Sequence, residues 1–110
     1  MSNDYKRLRS SKDFASVFKK GKRHFSSGVL LFYIPNTFPH SRIGFIVSTK
    51  FASSAVMRNK QKRILRAATH SLSSIIPPGF DIIISYTNHG KMLPYKESVA
   101  VLEKLIKKIQ

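Results

Sequence analysis

The sequence predicts a single small α+β domain, with elements in the order αββαβα and a small sheet covered by helices. One observation is a long amphipathic segment at residues 53–76, in which apolar side chains recur with the period of an α-helix. The other is a set of three short runs rich in β-forming residues, at 28–34, 42–49 and 80–86. The 110 residues, of which 42% are hydrophobic, are enough for one domain with one modest core and too few for two domains.

A short helix is predicted first, starting at Ser10 or Ser11 and ending at about Lys20. Phe14, Val17 and Phe18 follow the i, i+3, i+4 spacing and give this segment one apolar face. Asp13 is placed to support the helix start in the manner of a capping box. The flanking segments are basic and are interpreted as irregular chain; they read YKRLRSSK before the helix and KGKRH after it.

The runs at 28–34 and 42–49 look like adjacent strands joined by a proline-containing loop. The long helix follows them, and the run at 80–86 then supplies a third strand. Pro94 suits the first turn of a last helix. The apolar stripe of that helix consists of Tyr95, Val99, Leu102, Ile106 and Ile109.

The long helix has a basic side and a core side. Ser53 or Ser54 can cap its start, and two prolines and a glycine follow its end. At about 100° per residue, one arc holds the polar residues Arg58, Asn59, Lys62, Arg63, Arg66, Thr69, His70 and Ser73. The opposite arc holds the apolar residues Met57, Ile64, Leu65, Ala68, Leu72 and Ile75.

The charge distribution indicates that the basic side binds an anion. The chain has a formal net charge of +15 and a pI near 10.6. A helix start surrounded by Arg and Lys offers backbone N–H groups and guanidinium forks to phosphate. The alternative is a solvated basic face, but such a face normally mixes both signs. Here all five carboxylates lie outside residues 14–80; they are Asp4, Asp13, Asp81, Glu97 and Glu103.

Nucleic acid is the polyanion that these observations favour, whether RNA or DNA. Four aromatic residues, Phe14, Phe18, Phe32 and Tyr33, could stack on unpaired bases. Core packing is the competing explanation for the aromatic residues of the first helix, and the sequence alone favours it.

The sequence offers no protein active site. It contains no cysteine and no GxSxG, HExxH or Walker motif. The histidines, which are His24, His40, His70 and His89, lack metal-ligand spacing. The longest apolar run, residues 29–34, is too short to span a bilayer, and the N-terminus lacks a signal-peptide core. We therefore expect a cytoplasmic protein.

The chain resembles the bacterial ribonuclease P protein family, whose members belong to the RNA-based enzyme that matures tRNA 5′ ends. The most specific stretch is AVMRNKQKRILR at residues 55–66, which is similar to the family's RN-basic-x-KR helix. Lys60 stands where the family usually has a second Arg, and Ala67 where a Glu often follows the final Arg. Other matching stretches are RLRSSKDFASVFKKGKR at 7–23, IGFIVSTK at 43–50 and DIIISY at 81–86.

The resemblance implies a ribosomal protein S5 domain 2-like fold, with a left-handed β-α-β crossover through the basic helix. It also implies that this helix contacts ribonuclease P RNA through Arg58, Asn59, Lys60, Lys62, Arg63 and Arg66. A cleft between the first helix and the sheet would hold the 5′ leader of precursor tRNA. Its residues would be Phe14, Phe18, Phe32, Arg7 and Lys50, with Phe32 in place of a Tyr seen in some relatives.

The same resemblance implies an endoribonuclease in which RNA performs the catalysis. The RNA would bind most of the Mg²⁺ that phosphodiester hydrolysis requires, and the protein alone would hold no cofactor and supply no catalytic residue. One protein per RNA is expected. The alternative is a structural RNA-binding protein of ribosomal type with no role in turnover, and sequence chemistry does not separate the two. A membrane-surface helix is disfavoured because the apolar arc lacks Trp and Phe and is needed for the core.

Overall fold

The computed structural model describes residues 5–109, which form five strands, three α-helices and one 3-10 turn. Residues 1–4 and 110, and with them the acidic Asp4, lie outside the described residues. The strands are β1 (Tyr5–Arg7), β2 (Lys22–Ser26), β3 (Val29–Pro35), β4 (Ser41–Val47) and β5 (Phe80–Tyr86). The helices are α1 (Ser11–Lys20), α2 (Ala55–Ser71) and α3 (Tyr95–Ile106), and the 3-10 turn is Ser73–Ile75. All six predicted elements are present, and two strands are added.

The five strands form one mixed sheet in the order β1-β4-β5-β3-β2. The central strand, β5, runs parallel to β4 and antiparallel to β3. The prediction that β3 and β4 are neighbours is therefore wrong, because β5 lies between them. The loop after β3 crosses the start of β5 and is fixed there. Asn36 Nδ2 donates to Asp81 Oδ1 (2.8 Å), and the Phe80 N–H donates to Ser41 Oγ (3.0 Å).

The two edge strands, β1 and β2, correct the interpretation of their segments as irregular chain. β1 pairs with β4 in parallel, and β2 pairs with β3 in antiparallel orientation. Both strands are rich in Lys and Arg, which are common on edge strands because charge opposes further pairing. The same charges conceal the alternation by which a strand is predicted from sequence.

Helices cover the sheet on both sides and divide the core in two. On one side, which we call the α2 face, α2 and α3 pack on a large cluster that includes Ile82 and Leu65. On the other side, the α1 face, Val17 of α1 joins Ile83 in a smaller cluster. Successive side chains of a strand point to opposite faces, so the apolar residues of β5 serve both clusters.

The basic helix is shorter than predicted. The Ser54 hydroxyl caps it by accepting from the Met57 N–H (3.3 Å), which selects one of the two predicted caps. The α-helix ends at Ser71, and the 3-10 turn occupies the remainder of the predicted range 53–76.

Three residues of α2 and its extension lie on the side opposite to the one predicted. Thr69, assigned to the polar arc, is fully buried. Its hydroxyl donates to the Leu65 carbonyl (2.8 Å), which satisfies the polar group inside the core. Met57 and Ile75, assigned to the core, are 41% and 37% exposed.

Candidate nucleic-acid interface

Within residues 5–109, the exposed cations of α2 have no ion-pair partner. Lys60 and Arg63 are exposed and Lys62 is half-buried, and Asn59 beside them is exposed. The ion pairs of residues 5–109 involve other cations, namely Arg42 and Lys107. These α2 side chains are therefore available to phosphate oxygens, which Lys contacts as a point charge and Arg through two N–H groups.

Arg58 has a structural role in addition to its charge. Its Nη1 donates to the carbonyls of Ala52 (2.8 Å) and Ser53 (2.7 Å), in the segment that leads into α2. A guanidinium with two main-chain acceptors holds this segment against the helix start. The remaining N–H groups of Arg58 are still able to meet a phosphate.

Arg66 lies at the other end of the basic row and contacts the sheet. Its guanidinium carbon is 5.9 Å from the centre of the Phe45 ring on β4, within the range of a cation–π contact. Its Nε atom is shielded from solvent and has no hydrogen-bond partner within residues 5–109.

Three aromatic rings come together on the α1 face, and we call them the aromatic cluster: Phe14, Phe18 and Phe32. The rings of Phe18 and Phe32 meet edge to face, with centroids 4.8 Å apart and planes 78° apart. Phe14 and Phe32 are half-buried, whereas Phe18 is 44% exposed. Val17, fully buried, fills the core position of α1. The predicted apolar face of α1 thus divides into a core position, Val17, and a partly exposed position, Phe18.

The strand register places further residues beside the aromatic cluster on the α1 face, and we call this surface the groove. Phe32 and Ile83 are partners in one row of the α1 face. The next row consists of Leu30, Ser85 and Ile46, whose side chains share that face because paired residues point to the same side. The groove therefore has an apolar floor with one hydroxyl group and an exposed aromatic ring at its wall.

Arg23 is a cation of the α1 face that sequence reasoning missed. It is the register partner of Phe32, so its side chain lies on the same face as the aromatic cluster, and it is exposed. The sequence signal for Arg23 was the alternation of side chains along residues 22–26, which is typical of a strand but was obscured by the basic composition of this segment. Beside the rings, Arg23 adds positive charge at the edge of the groove.

Three other residues predicted to contact nucleic acid do not join the aromatic cluster. Arg7 pairs with Ile43 and so points to the α2 face, opposite to Phe14. Tyr33, only 3% exposed, is buried on that same face and stacks on His24. Lys50 is exposed in the turn after β4, where its carbonyl lies 2.7 Å from Nδ1 of His89.

Two carboxylates are occupied by Arg42 on the α1 face. Arg42 donates through Nε and Nη2 to both oxygens of Asp81 (2.9 and 2.6 Å) and through Nη1 to Asp13 (3.2 Å). The hydrogen bond to Asp81 is the main cause of a raised Arg42 pKa. The predicted capping box is wrong, because Asp13 is part of this ion-pair triad and Ser10 makes no side-chain cap bond. These carboxylates therefore do not offset the charge of α2.

No group of three or more metal-ligating side chains comes together within the part of the chain that the structure describes. Likewise, none of the helices in residues 5–109 is long and apolar enough to cross a membrane.

A mixed sheet with helices on both faces, an uncompensated basic helix and an aromatic groove define a small α+β RNA-binding protein. A family model described as Ribonuclease P matches residues 2–110. The chain belongs to the ribonuclease P protein family, whose members are components of a tRNA-processing ribonucleoprotein.

Individual relatives agree with this assignment. The chain is 36% identical over 100 residues to the ribonuclease P protein component of Synechocystis sp., covering 90% of this chain and 81% of the relative. It is 32% identical over 108 residues to that of Petrotoga mobilis, covering 94% and 91%. The solved ribonuclease P protein of Thermotoga maritima superposes with a TM-score of 0.84 at 30% identity, covering 96% and 98%. That of Staphylococcus aureus gives 0.80 at 29% identity, covering 92% of each chain. The fold of this chain is therefore that of bacterial ribonuclease P proteins.

Proposed function

We propose that this chain binds the catalytic RNA of ribonuclease P through α2 and the 5′ leader of precursor tRNA through the groove on the α1 face. The observation that carries the proposal is the uncompensated charge of Lys60, Lys62 and Arg63 on the family's signature helix. Phosphates neutralised by such cations release counterions, which drives binding to RNA.

The groove is suited to an unpaired strand rather than to a duplex. Bases that are not paired can stack on aromatic side chains, which is how sequence-tolerant single-strand binding arises. Phe18 presents its ring to solvent, and Arg23 is beside Phe32 to meet the backbone of the same strand. A mature tRNA has no leader and would leave this groove empty.

The RNA partner would carry out the hydrolysis, with Mg²⁺ bound mainly by the RNA. A surface as positive as this one repels free Mg²⁺, whereas folded RNA concentrates it. The protein would contribute by positioning the substrate and by neutralising phosphates that otherwise repel one another. The complex would then need less Mg²⁺ for the same rate, and one protein per RNA suffices for this role.

The test is cleavage of precursor tRNA by a bacterial ribonuclease P RNA, with and without the protein, across a Mg²⁺ titration. The protein should lower the Mg²⁺ concentration at half-maximal rate. A triple variant with Lys60, Lys62 and Arg63 replaced by Ala should lose this effect while remaining folded. If the wild-type protein binds the RNA but changes neither the Mg²⁺ requirement nor turnover, the chain is a structural RNA-binding protein and the proposal is wrong.

A further inference from the structure

A second concave site lies between the β1 edge of the sheet and α2, on the α2 face. We call it the β1–α2 pocket. It has a volume of about 480 Å³, within the range of small-ligand sites. Its lining includes Tyr5, Lys6, Arg7, Phe45, Arg66 and Ala67. The aromatic cluster and the groove beside it lie on the other face of the sheet, so this pocket is separate from the leader groove proposed above.

The lining combines two kinds of surface. Tyr5 and Phe45 supply aromatic rings, and Arg7 and Arg66 supply two positive charges. Lys6 also lines the pocket, but it pairs with Arg42 and so its side chain points to the α1 face. None of the residues that line the pocket is a carboxylate, so these charges are not balanced there. A ligand that satisfies both surfaces is flat and aromatic at one end and anionic at the other, which describes a nucleotide.

Arg66 supplies an independent observation that points to a ligand. Its Nε is buried without a hydrogen-bond partner among residues 5–109. The guanidinium lies over the Phe45 ring, but this contact does not provide a hydrogen-bond acceptor for Nε. Buried donors in proteins are almost always satisfied, because an unsatisfied donor has lost its water without any replacement. A rotation of the Arg66 side chain that turns Nε toward the pocket would let a phosphate or base oxygen of a bound ligand accept this hydrogen bond.

We infer that the β1–α2 pocket receives one unpaired nucleotide of the RNA that binds α2, with its base against Tyr5 and Phe45 and its phosphate at Arg66 and Arg7. This rests on the proposed function, since the RNA must already lie along α2. RNA is favoured over an acidic peptide because the pocket is continuous with the cations of α2 and offers aromatic rings of the size of a base. It also accounts for Arg7, which points to this pocket and away from the leader groove.

Ala67 offers a way to block the pocket without changing its charge. Ala67 is an exposed residue of α2 that lines the pocket, and Leu is also a good helix former. Ala67→Leu should weaken binding of ribonuclease P RNA by about ten-fold, the loss of one stacked base. The slope of log affinity against log salt should stay unchanged, since the cations that meet phosphate are all retained. The matched control is Ala100→Leu, at an exposed Ala of α3, which should bind as wild type.

Fluorescence reports on the pocket directly, because the chain contains no Trp. In Tyr5→Trp the single indole lies in the pocket, and a base stacked on it should quench its emission when ribonuclease P RNA is added at saturating concentration. Tyr95→Trp is the control, since Tyr95 is 46% exposed on α3 and is not part of the lining. Adding Ala67→Leu to Tyr5→Trp should abolish the quenching.

The quenching decides the proposal. If Tyr5→Trp binds the RNA and its emission changes no more than that of Tyr95→Trp, no base enters the pocket and the proposal is wrong, whatever the affinity of Ala67→Leu. The proposed function would still stand in that case, because it depends on the cations of α2. If the wild-type protein fails to bind ribonuclease P RNA at all, both proposals fail.

Discussion

Gly44, a residue without a side chain, shapes the α1 face. It is buried in β4, and the ring of Phe14 lies directly against it, where an added Cβ would collide with the ring. The glycine thus leaves room for the tip of the Phe14 ring and lets α1 approach the sheet closely. One turn further along α1, Phe18 packs against Phe32 of β3, whereas Phe14 packs against Gly44 of β4. The result is a groove whose rings are fixed at one end and exposed at the other.

Phe18→Ala should weaken binding of precursor tRNA that carries a leader, while binding of mature tRNA to the reconstituted complex stays the same. The expected loss is about 1–3 kcal/mol, the contribution of stacking on one base. Because Phe18 is exposed, its replacement should lower protein stability by less than about 1 kcal/mol. Affinities of the two tRNAs and a thermal unfolding curve provide the measurement.

Val17→Ala is the matched control one residue away. Val17 is fully buried, so this variant should lose about 2 kcal/mol of stability and affect both tRNAs alike under conditions where it is folded. If Phe18→Ala behaves in the same way as Val17→Ala, the aromatic cluster is core and not a binding groove.

At the residue scale, helical spacing predicted that Phe14 and Phe18 share one apolar face, and the family resemblance implied that Phe32 lies beside them. The sequence did not predict the face of the sheet to which Arg7 and Tyr33 point, because that depends on the strand register. Tyr33 follows Phe32 directly, so alternation sends the two rings to opposite faces once the strand forms. The direction of the Arg7 side chain could be predicted only if β1 was recognised as a strand, and the basic composition of β1 concealed it.

Among the elements, α2 serves two purposes on two of its sides. Its buried side includes Gln61, fully enclosed, whose side chain accepts from the Leu93 N–H (2.8 Å) and donates to the Leu93 carbonyl (3.2 Å). These two bonds tie the helix to the loop that precedes α3. Arg58 fixes the start of the same helix to the incoming chain. Lys60 lies between these two residues, and Lys62 and Arg63 follow Gln61 directly. These cations are therefore presented from a backbone that is held at its start and near its middle.

Replacing Lys60, Lys62 and Arg63 by Ala together should reduce the slope of log affinity against log salt for ribonuclease P RNA. Each RNA phosphate that is no longer neutralised should lower the magnitude of the slope by about 0.7 to 0.9. Stability should change little, since these side chains have no ion-pair partner within residues 5–109. The measurement is RNA affinity at several salt concentrations.

Arg58→Ala provides the contrast within the same helix. Its guanidinium makes two main-chain hydrogen bonds, so this variant should also lose about 2 kcal/mol of stability. An unchanged salt slope in the folded triple variant would contradict the assignment of α2 as an electrostatic RNA contact.

The elements with strong periodicity were predicted well, and those without it were not. The long helix and the three apolar strands carry an internal pattern. Their neighbours in the sheet do not follow from that pattern, because β5 inserts between β3 and β4 by pairing with two strands that are far from it in sequence. The end of α2 was also placed too late, since the 3-10 turn continues the same polar and apolar mixture.

For the molecule as a whole, charge is segregated rather than balanced. The chain has 20 Lys and Arg against 5 Asp and Glu, and two of those carboxylates are bound to Arg42. A further one, Glu103, pairs with Lys107 on the exposed side of α3. Among the described residues, the carboxylates Asp13, Asp81 and Glu103 are therefore paired with cations outside α2. The basic side of α2 is left to an external anion.

Asp81→Asn should destabilise the protein without removing a chemical step. Asp81 is 6% exposed and is held by two bonds from Arg42, and breaking a buried ion pair costs about 3 kcal/mol. The melting temperature should fall, while cleavage of precursor tRNA by the reconstituted complex should be normal below it. Glu103→Gln is the control, since its exposed i, i+4 pair with Lys107 contributes little to stability.

A folded Asp81→Asn protein that binds both RNAs normally but supports cleavage a thousand-fold more slowly would contradict an RNA-only catalyst. A loss of that size is what removing a reacting group produces.

The central strand has a consequence for how the protein opens. β5 has a partner strand on each side and helices on both faces, and Ile82, Ile83 and Ile84 are each at most 1% exposed. Amide protons there exchange with solvent only when the whole domain unfolds, whereas β1 or the first turn of α1 can detach alone. Local fluctuations can therefore loosen the rim of either face without disturbing the strand to which both are attached. Under the proposed function, an RNA strand would then be released from one face while the opposite face stays bound.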